Sequence, residues 1–430
     1  MLEPLYTAAE MKEAEAGHDV QTLMERAGRA VAEEALRRYP DAQSFGAVCG
    51  GGANGGDGRI ALDVLRSAGR GADEGTNGDV LIDALFGTGF HGEPRPEAAR
   101  LIEEINAAAA PVVAVDLPSG VDADTGEIAG AAVRADVTVT MHGRKVGLEV
   151  APGRFRAGEV VVADIGLERR ETSAAIVDRA VLGLVPRKRE TDNKYTAGAL
   201  LVVGGSPGMA GSVTLTASAA FRADAGYVTI CSEVEPPVLE AVKRPLEETF
   251  DAAPRHGALA VGPGLGRSDE KRALVRRLLE ETELPAVVDA DALFGLEPFT
   301  RAAPTVLTPH EGELGRLLDR DSSWVAAHRL AAVSETAERF GCICLLKGVD
   351  ALIAAPGEGV LVAALGPPSL ATAGTGDVLT GVIGAFLAKG MDARIAAAAG
   401  AVACDVAARL GPERGLVASD VVGLLPAALA

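Results

Sequence analysis

The stretch Phe45-Gly46-Ala47-Val48-Cys49-Gly50-Gly51-Gly52-Ala53-Asn54-Gly55-Gly56-Asp57-Gly58 runs from a short apolar segment into a glycine-rich turn, and Ile60, Leu62, Val64 and Leu65 follow in a helical segment. A short apolar run bounded by glycine reads as a strand. Strand, glycine loop and helix start, in that order, make the phosphate-binding turn of open α/β sheets. The loop matches neither the dinucleotide fingerprint nor the triphosphate loop. Two readings therefore stand: a plain structural turn, and a ligand site to which Asn54 and Asp57 add oxygen ligands beside backbone amides.

Upstream, Ala8 to Tyr39 is a helical lead-in, with Leu23, Met24, Ala27, Ala30, Val31 and Leu36 at helical spacing. Downstream, Val80 to Phe86 ends in Gly87-Thr88-Gly89, and Val112 to Val115 ends in Asp116-Leu117-Pro118-Ser119-Gly120. Asp83, Asp116 and Ser119 thus fall near the carboxyl ends of parallel strands, where such sheets bind ligands. Converging Asn, Asp and Ser oxygens suit a hard cation, and Asp116 suits proton transfer. The competing reading has Asp116 and Ser119 capping a turn.

The second half restarts at Leu200 to Val203, which enters Gly204-Gly205-Ser206-Pro207-Gly208-Met209-Ala210-Gly211 and a helix from Val213 to Ala225. Strands follow at Val228 to Cys231, Ala258 to Val261, Ala286 to Val288, Val306 to Leu307, Cys344 to Leu346 and Ala351 to Ala354. Near the end, Ala371-Thr372-Ala373-Gly374-Thr375-Gly376-Asp377-Val378-Leu379-Thr380-Gly381 joins a glycine loop, a carboxylate and the start of an apolar helix. Gly374 and Gly376 let backbone N–H groups approach a phosphate, and the helix N-terminus attracts the anion. Asp377 at that mouth can accept a hydroxyl proton during phosphoryl transfer. The alternative is an Asp that caps the helix.

At 430 residues the chain is expected to form two domains. The boundary falls within Glu168 to Asp192, giving domains 1–175 and 176–430. A 48% hydrophobic share with 52 glycines and 3% aromatics suits a compact α/β protein. The net charge of −19 opposes nonspecific binding to nucleic acid or acidic membrane, and a polyanionic ligand would need local cations. Five cysteines without metal-type spacing suggest reduced thiols, and no apolar run approaches a membrane span. The expectation is a cytoplasmic homo-oligomer.

Leu23-Met24-Glu25-Arg26-Ala27-Gly28-Arg29-Ala30-Val31, Asn54-Gly55-Gly56-Asp57-Gly58, Asp83-Ala84-Leu85-Phe86-Gly87-Thr88-Gly89 and Val115-Asp116-Leu117-Pro118-Ser119-Gly120-Val121-Asp122 resemble, in the same order, the NAD(P)H-hydrate epimerase domain. That resemblance implies a Rossmann-like domain in which Asn54, Asp83 and Ser119 hold K+. It also implies that Ala53, Asn54, Gly55, Gly56, Asp57, Gly87, Thr88, Gly89, Phe90, His91, Gly92, Glu93 and Asp116 line the hydrated nicotinamide nucleotide, with Asp116 catalytic. Two features depart from the family. Ala53 stands where a second Asn is usual, and Asn54 and Asp83 are only 83 − 54 = 29 residues apart, where a further strand and helix normally fit. Arg70 to Asp79 reads as a loop, so the expected domain is shortened and its epimerase activity is in question.

The second half resembles the ADP- or ATP-dependent NAD(P)H-hydrate dehydratase of the ribokinase-like superfamily. Lys194-Tyr195, Gly204 to Gly208, Gly262-Pro263-Gly264-Leu265-Gly266, Asp289-Ala290-Asp291-Ala292-Leu293, Thr308-Pro309-His310-Glu311-Gly312-Glu313, Leu346-Lys347-Gly348 and the Ala371 to Gly381 stretch carry the likeness. It implies phosphorylation of the hydrate hydroxyl by ADP or ATP with Mg2+, then elimination. Asp377 would be the base, Gly374, Thr375 and Gly376 the phosphate cradle, Lys347 and Gly348 the nucleotide side, and Gly264, Gly266 and His310 the hydrate side. The combined expectation is a bifunctional NAD(P)H-hydrate repair enzyme, a lyase joined to an isomerase, and the resemblance implies small-molecule substrates as partners. The alternative is a ribokinase-like small-molecule kinase with a noncatalytic nucleotide-binding or dimer-forming first half.

Overall fold

The computed structural model describes residues 2–363 and 366–430. The chain divides into two compact units, one spanning Pro4–Ala175 and the other Ile176–Ala430 with the first few residues of the chain.

In the first unit six strands lie in the order Gly71–Glu74, Ser44–Cys49, Val80–Ala84, Val112–Val115, Val137–Met141 and Glu159–Ala163. Every neighbouring pair is parallel. Val80–Ala84, Val112–Val115 and Val137–Met141 are buried along their whole length. A sheet covered on both faces demands such unbroken apolar runs. On one face the helices Val20–Arg38 and Ala53–Ser67 place Leu23, Val31, Leu62 and Leu65 against Phe45, Ile82, Val113 and Val139. On the other face the helix Pro96–Ala107 packs Ile102 and Ile105 on Val48, Leu81 and Val112. The lead-in expected as one helical segment is two helices, Ala8–Glu15 and Val20–Arg38. Gly17 at φ +86° breaks the first, and Asp19 starts the second by accepting the Thr22 amide at 2.9 Å.

The shortened crossover differs from expectation. Arg70 to Asp79 is not all loop, because Gly71–Glu74 forms an edge strand parallel to Ser44–Cys49. Residues 75–79 alone then carry the chain over Ser44–Cys49 to Val80 on its far side. They cross at Gly46, where a Cβ would lie 2.4 Å from the Asn77 carbonyl oxygen and 2.8 Å from that of Gly75. The crossing is pinned by the Gly75 amide on the Ala47 carbonyl, 2.8 Å, and by Asp79, which accepts the Gln43 and Ser44 amides at 2.9 Å each. A strand whose only buried side chain is Ala72 gives little apolar signal, which is why it reads as loop.

In the second unit the strands Ile343–Leu346, Thr305–Leu307, Ala286–Val288, Ala258–Val261, Ala199–Val203, Tyr227–Ser232 and Val242–Pro245 are consecutive and parallel. The strands Ala351–Ala354 and Val360–Ala363 extend the Ile343–Leu346 edge in antiparallel sense. The helix Thr375–Ala388 is buried from Val378 through Leu387 and packs on the helix Ala210–Arg222. The two backbones approach closely at Gly381, where a Cβ would fall 2.1 Å from the Thr216 carbonyl oxygen. The fold class is thus the expected one, a Rossmann-like α/β unit followed by a ribokinase-like α/β unit. No helix among the described residues is long and apolar enough to cross a membrane.

Candidate active sites

The first unit holds a cleft of about 900 Å³ at the carboxyl ends of its central strands. Ala53, Asn54, Asp57, Gly87, Thr88, Gly89, Phe90, His91, Glu93 and Asp116 line it, so most residues expected around a hydrated nucleotide come together. Gly55, Gly56 and Gly92 are not part of its wall. Phe86 and Phe90 stack at 4.6 Å between ring centres, and His91 is 2.8 Å from Asp122, which raises the imidazole pKa.

Asp116 follows the strand Val112–Val115 with φ at 66°, a conformation that L side chains adopt rarely and that recurs at functional positions. All the hydrogen bonds to its carboxylate fall on Oδ1, from Lys145 Nζ at 2.5 Å, Thr140 Oγ1 at 3.1 Å and the Met141 amide at 3.2 Å. Oδ2 receives none from the described residues. Lys145 has no exposed surface, and its ammonium also donates to Thr140 Oγ1 at 2.9 Å and the Met141 carbonyl at 2.8 Å. A buried lysine survives in this way, with an ion pair and every donor satisfied. Sequence reading missed Lys145, because a single lysine before Val146-Gly147-Leu148 carries no periodic signal. It missed Glu15 as well, an exposed carboxylate on the cleft wall whose pKa is raised by partial desolvation and by Asp116.

Asp57, in the first turns of the helix Ala53–Ser67, is the most perturbed carboxyl of the cleft. Burial, then the charges of Asp116 and Glu15, push it up to about 8. Its Oδ1 is buried without a hydrogen-bond partner among the described residues.

Beside the cleft, Asp83 has no exposed surface and accepts the Ser119 amide at 2.7 Å, Ser119 Oγ at 2.6 Å and the Leu85 amide at 3.3 Å. Ser119 Oγ is also 2.9 Å from the Phe86 amide, and Asn54 Nδ2 donates to the Phe86 carbonyl at 2.8 Å. Burial raises the Asp83 carboxyl to about 6, and no basic side chain among the described residues pairs with it. A buried carboxylate amid amide, hydroxyl and carbonyl oxygens fits a hard cation, whose charge would offset the desolvation.

In the second unit the candidate residues follow the carboxyl ends of four adjacent strands. Gly264 and Gly266 come after Ala258–Val261, Asp289 after Ala286–Val288, His310 after Thr305–Leu307, and Lys347 and Gly348 after Ile343–Leu346. Lys347 Nζ donates to Asp289 Oδ1 at 2.6 Å, and Thr380 Oγ1 donates to Asp289 Oδ2 at 2.7 Å. Burial alone would lower the Lys347 pKa, but the charges of Asp289 and Glu313 outweigh it and leave it raised. A Cβ on Gly376 would lie 3.3 Å from Lys347 Nζ, so the ammonium sits against the helix start.

That start is bare. Gly374 is the N-cap at φ 90°, and no side chain caps the helix, which removes the capping reading of Asp377. The first-turn amides are left for another acceptor. Asp377 is raised to about 6, by burial and by Asp289, against a hydrogen bond with Ser212 and the charge of Lys347. Thr216 Oγ1 contacts the Asp377 carbonyl at 3.1 Å and fixes the turn. Gly264 reaches the same place, since a Cβ there would lie 3.2 Å from Ser212 Cβ. The Gly266 amide donates to Asp291 Oδ2 at 3.0 Å.

His310 and Gly348 are more peripheral. His310 Nδ1 caps its own helix by accepting the Gly312 and Glu313 amides, while Nε2 lies 3.5 Å from Glu313. Glu313 is in turn 3.9 Å from Lys347. Gly348 packs on buried Arg329, which bonds Asp350 and Glu311. Asp289 and Thr380 were missed as site residues, although the Asp289-Ala290-Asp291 motif was visible.

The family model described as NAD(P)H-hydrate dehydratase matches residues 200–425, and that described as YjeF-related protein N-terminus matches 20–74 and 66–147. The two pieces of the second match meet at the shortened crossover. The bifunctional NAD(P)H-hydrate repair enzyme Nnr of Coxiella burnetii is 35% identical, over 95% of this chain and 94% of that protein. Its Escherichia coli counterpart is 33% identical, over 95% and 89%. Among solved structures, the ADP/ATP-dependent NAD(P)H-hydrate dehydratase of Bacillus subtilis, co-crystallized with ATP/Mg2+, aligns with a TM-score of 0.53 at 26% identity, covering 58% of this chain and 94% of that one.

Proposed function

The chain belongs to the family of bifunctional NAD(P)H-hydrate repair enzymes, and from that premise we propose how its two sites divide the repair of hydrated NADH and NADPH. In the second unit Asp377 takes the proton of the hydroxyl on the hydrated ring as that oxygen attacks the terminal phosphorus of ADP or ATP, the bridging P–O bond breaks and AMP or ADP leaves. The first-turn amides of Gly374, Thr375 and Gly376, with the helix dipole, bind the transferring phosphoryl group. Lys347, steered by Asp289, faces the nucleotide phosphates. Phosphate is then a leaving group where hydroxide was not, and elimination restores the dihydronicotinamide ring. Mg2+ bound with the nucleotide supplies charge neutralisation on its phosphates.

In the first unit the R and S epimers interconvert in the cleft lined by Asn54, Asp57, Gly87 to His91 and Asp116. Asn54, Asp83 and Ser119 hold K+, which supplies positive charge beside the buried carboxylate. Asp116 Oδ2, left free by its partners, is the proton acceptor. The observation that carries the whole reading is the uncapped helix start with half-buried Asp377 beside Ser212, Asp289 and Lys347. Five unpaired cysteines support a cytoplasmic location.

The test supplies purified protein with both epimers, ADP and Mg2+ and follows dihydronicotinamide absorbance. Full recovery of the mixture is expected. Recovery that halts when one epimer is exhausted would mean an inactive first unit. No recovery with ADP or with ATP would favour the kinase alternative.

A further inference from the structure

Three carboxyl side chains from different elements meet in the first unit's cleft: Glu15 at the end of the helix Ala8–Glu15, Asp57 in the helix Ala53–Ser67 and Asp116 after the strand Val112–Val115. The one basic side chain paired with any of them, among the described residues, is Lys145, and it is committed to Asp116 Oδ1. Asp57 lines the cleft and is 9% exposed, and its buried Oδ1 has no hydrogen-bond partner among the described residues. An ionised carboxylate so placed would be desolvated, unpartnered and beside an ion-paired carboxylate. A protonated one loses the charge and gains an O–H to donate.

We propose that Asp57 is the general acid of epimerisation, a neutral carboxyl working across the cleft from the ion-paired base Asp116. This rests on the reading of the cleft as the epimerase site. The reacting carbon bears the hydroxyl and adjoins the ring nitrogen. Asp57 donates its proton to the hydroxyl oxygen, the C–O bond breaks with departure of water, and the nitrogen lone pair forms a C=N bond to that carbon. Water then adds to the opposite ring face. Its oxygen forms the new C–O bond, the C=N π pair returns to nitrogen, and Asp116 Oδ2 takes the proton. A proton passed from Asp116 to Asp57 through solvent resets the pair, and in the reverse direction the roles exchange. No oxidant or reductant is needed. Opposite protonation states in one site are what acid and base roles at one carbon require. Burial and the charges of Asp116 and Glu15 supply that state near neutrality.

The experiment measures epimerisation of the R epimer by the full chain across pH 6 to 9.5, for the wild type, Asp57→Asn and Asp57→Glu. ADP-dependent dehydration of S reports the product. The wild-type kcat should decline above about pH 8, as the acid is lost. Asp57→Asn should lower kcat by roughly 10²-fold or more with little change in KM and should abolish the alkaline decline, and Asp57→Glu should restore part of both. Asp57→Asn activity within a few-fold of wild type would overturn the proposal. So would a loss confined to KM, or an alkaline limb that persists in Asp57→Asn. A wild type that dehydrates S but never converts R would remove the epimerase reading of the cleft, and this inference with it.

Discussion

In the proposed reading single carboxyl groups decide both chemistries, and their environments set opposite pH responses. As the proposed base Asp377 must be ionised to accept a proton, and its pKa is raised to about 6. Dehydration of the S epimer should therefore fall about tenfold per unit as pH drops below about 6 and stay level above it. A rate unchanged down to pH 4.5 would remove Asp377 as the base. Asp377→Ala should lower kcat by about 10²- to 10⁴-fold while ADP binding, measured calorimetrically, is kept. Asp57 shows the linkage to stability. Its folded pKa of about 8 lies above the ordinary value of 3.8, so folding takes up a proton between those limits. Its contribution to stability is complete below about pH 4 and is lost as pH rises through about 8, at about 1.4 kcal/mol per unit. Asp57 and Asp377 were legible in the sequence because glycines and helix starts frame them. Lys145, Glu15 and Thr380 were not, since what makes them functional is a partner distant in the chain.

Elements aim these side chains, and two glycines show how little room they leave. Gly381 lets the helix bearing Asp377 lie directly on the Thr216 backbone, and this helix was legible because Val378, Leu379, Val382, Ile383 and Phe386 form one apolar run. Gly46 does the same for the shortened crossover. A helix is absent between the strands Gly71–Glu74 and Val80–Ala84, and residues 75–79 replace it by lying flat on the intervening strand. The cleft itself is built by the loops after Ser44–Cys49, Val80–Ala84 and Val112–Val115, with wall residues from flanking helices. None of its wall residues comes from Arg70 to Asp79. Gly46→Val would drive a side chain into the carbonyls of Gly75 and Asn77, and it should destabilise the first unit by about 1–3 kcal/mol. Melting followed through Tyr6 and Tyr39 fluorescence would show this, and an unchanged midpoint would mean the crossing loop lifts away freely. That edge strand escaped the sequence reading because Asp73 and Glu74 face solvent and only Ala72 faces the core.

Across the whole molecule, the succession of strands and ligand loops in two α/β units was readable from where strand ends meet glycines, because parallel sheets put apolar runs and ligand loops in fixed succession. The strand order of neither sheet was read, and Val137–Met141, Glu159–Ala163, Val242–Pro245 and Val360–Ala363 were not recognised as strands. The two units use unrelated chemistry on one substrate, and their coupling is a matter of which epimer is released. If S formed in the cleft of the first unit leaves into solvent before dehydration, the two activities need not reside on one chain. Asp377→Ala protein keeps its epimerase residues, and Asp116→Asn protein keeps its dehydratase residues. Given pure R epimer with ADP and Mg2+, neither variant alone should regenerate dihydronicotinamide beyond the uncatalysed rate. An equal mixture should regenerate it completely, at a rate that rises with the concentration of either variant. A mixture as inert as its components, with each variant retaining its own half-reaction, would mean that S is not released between the steps.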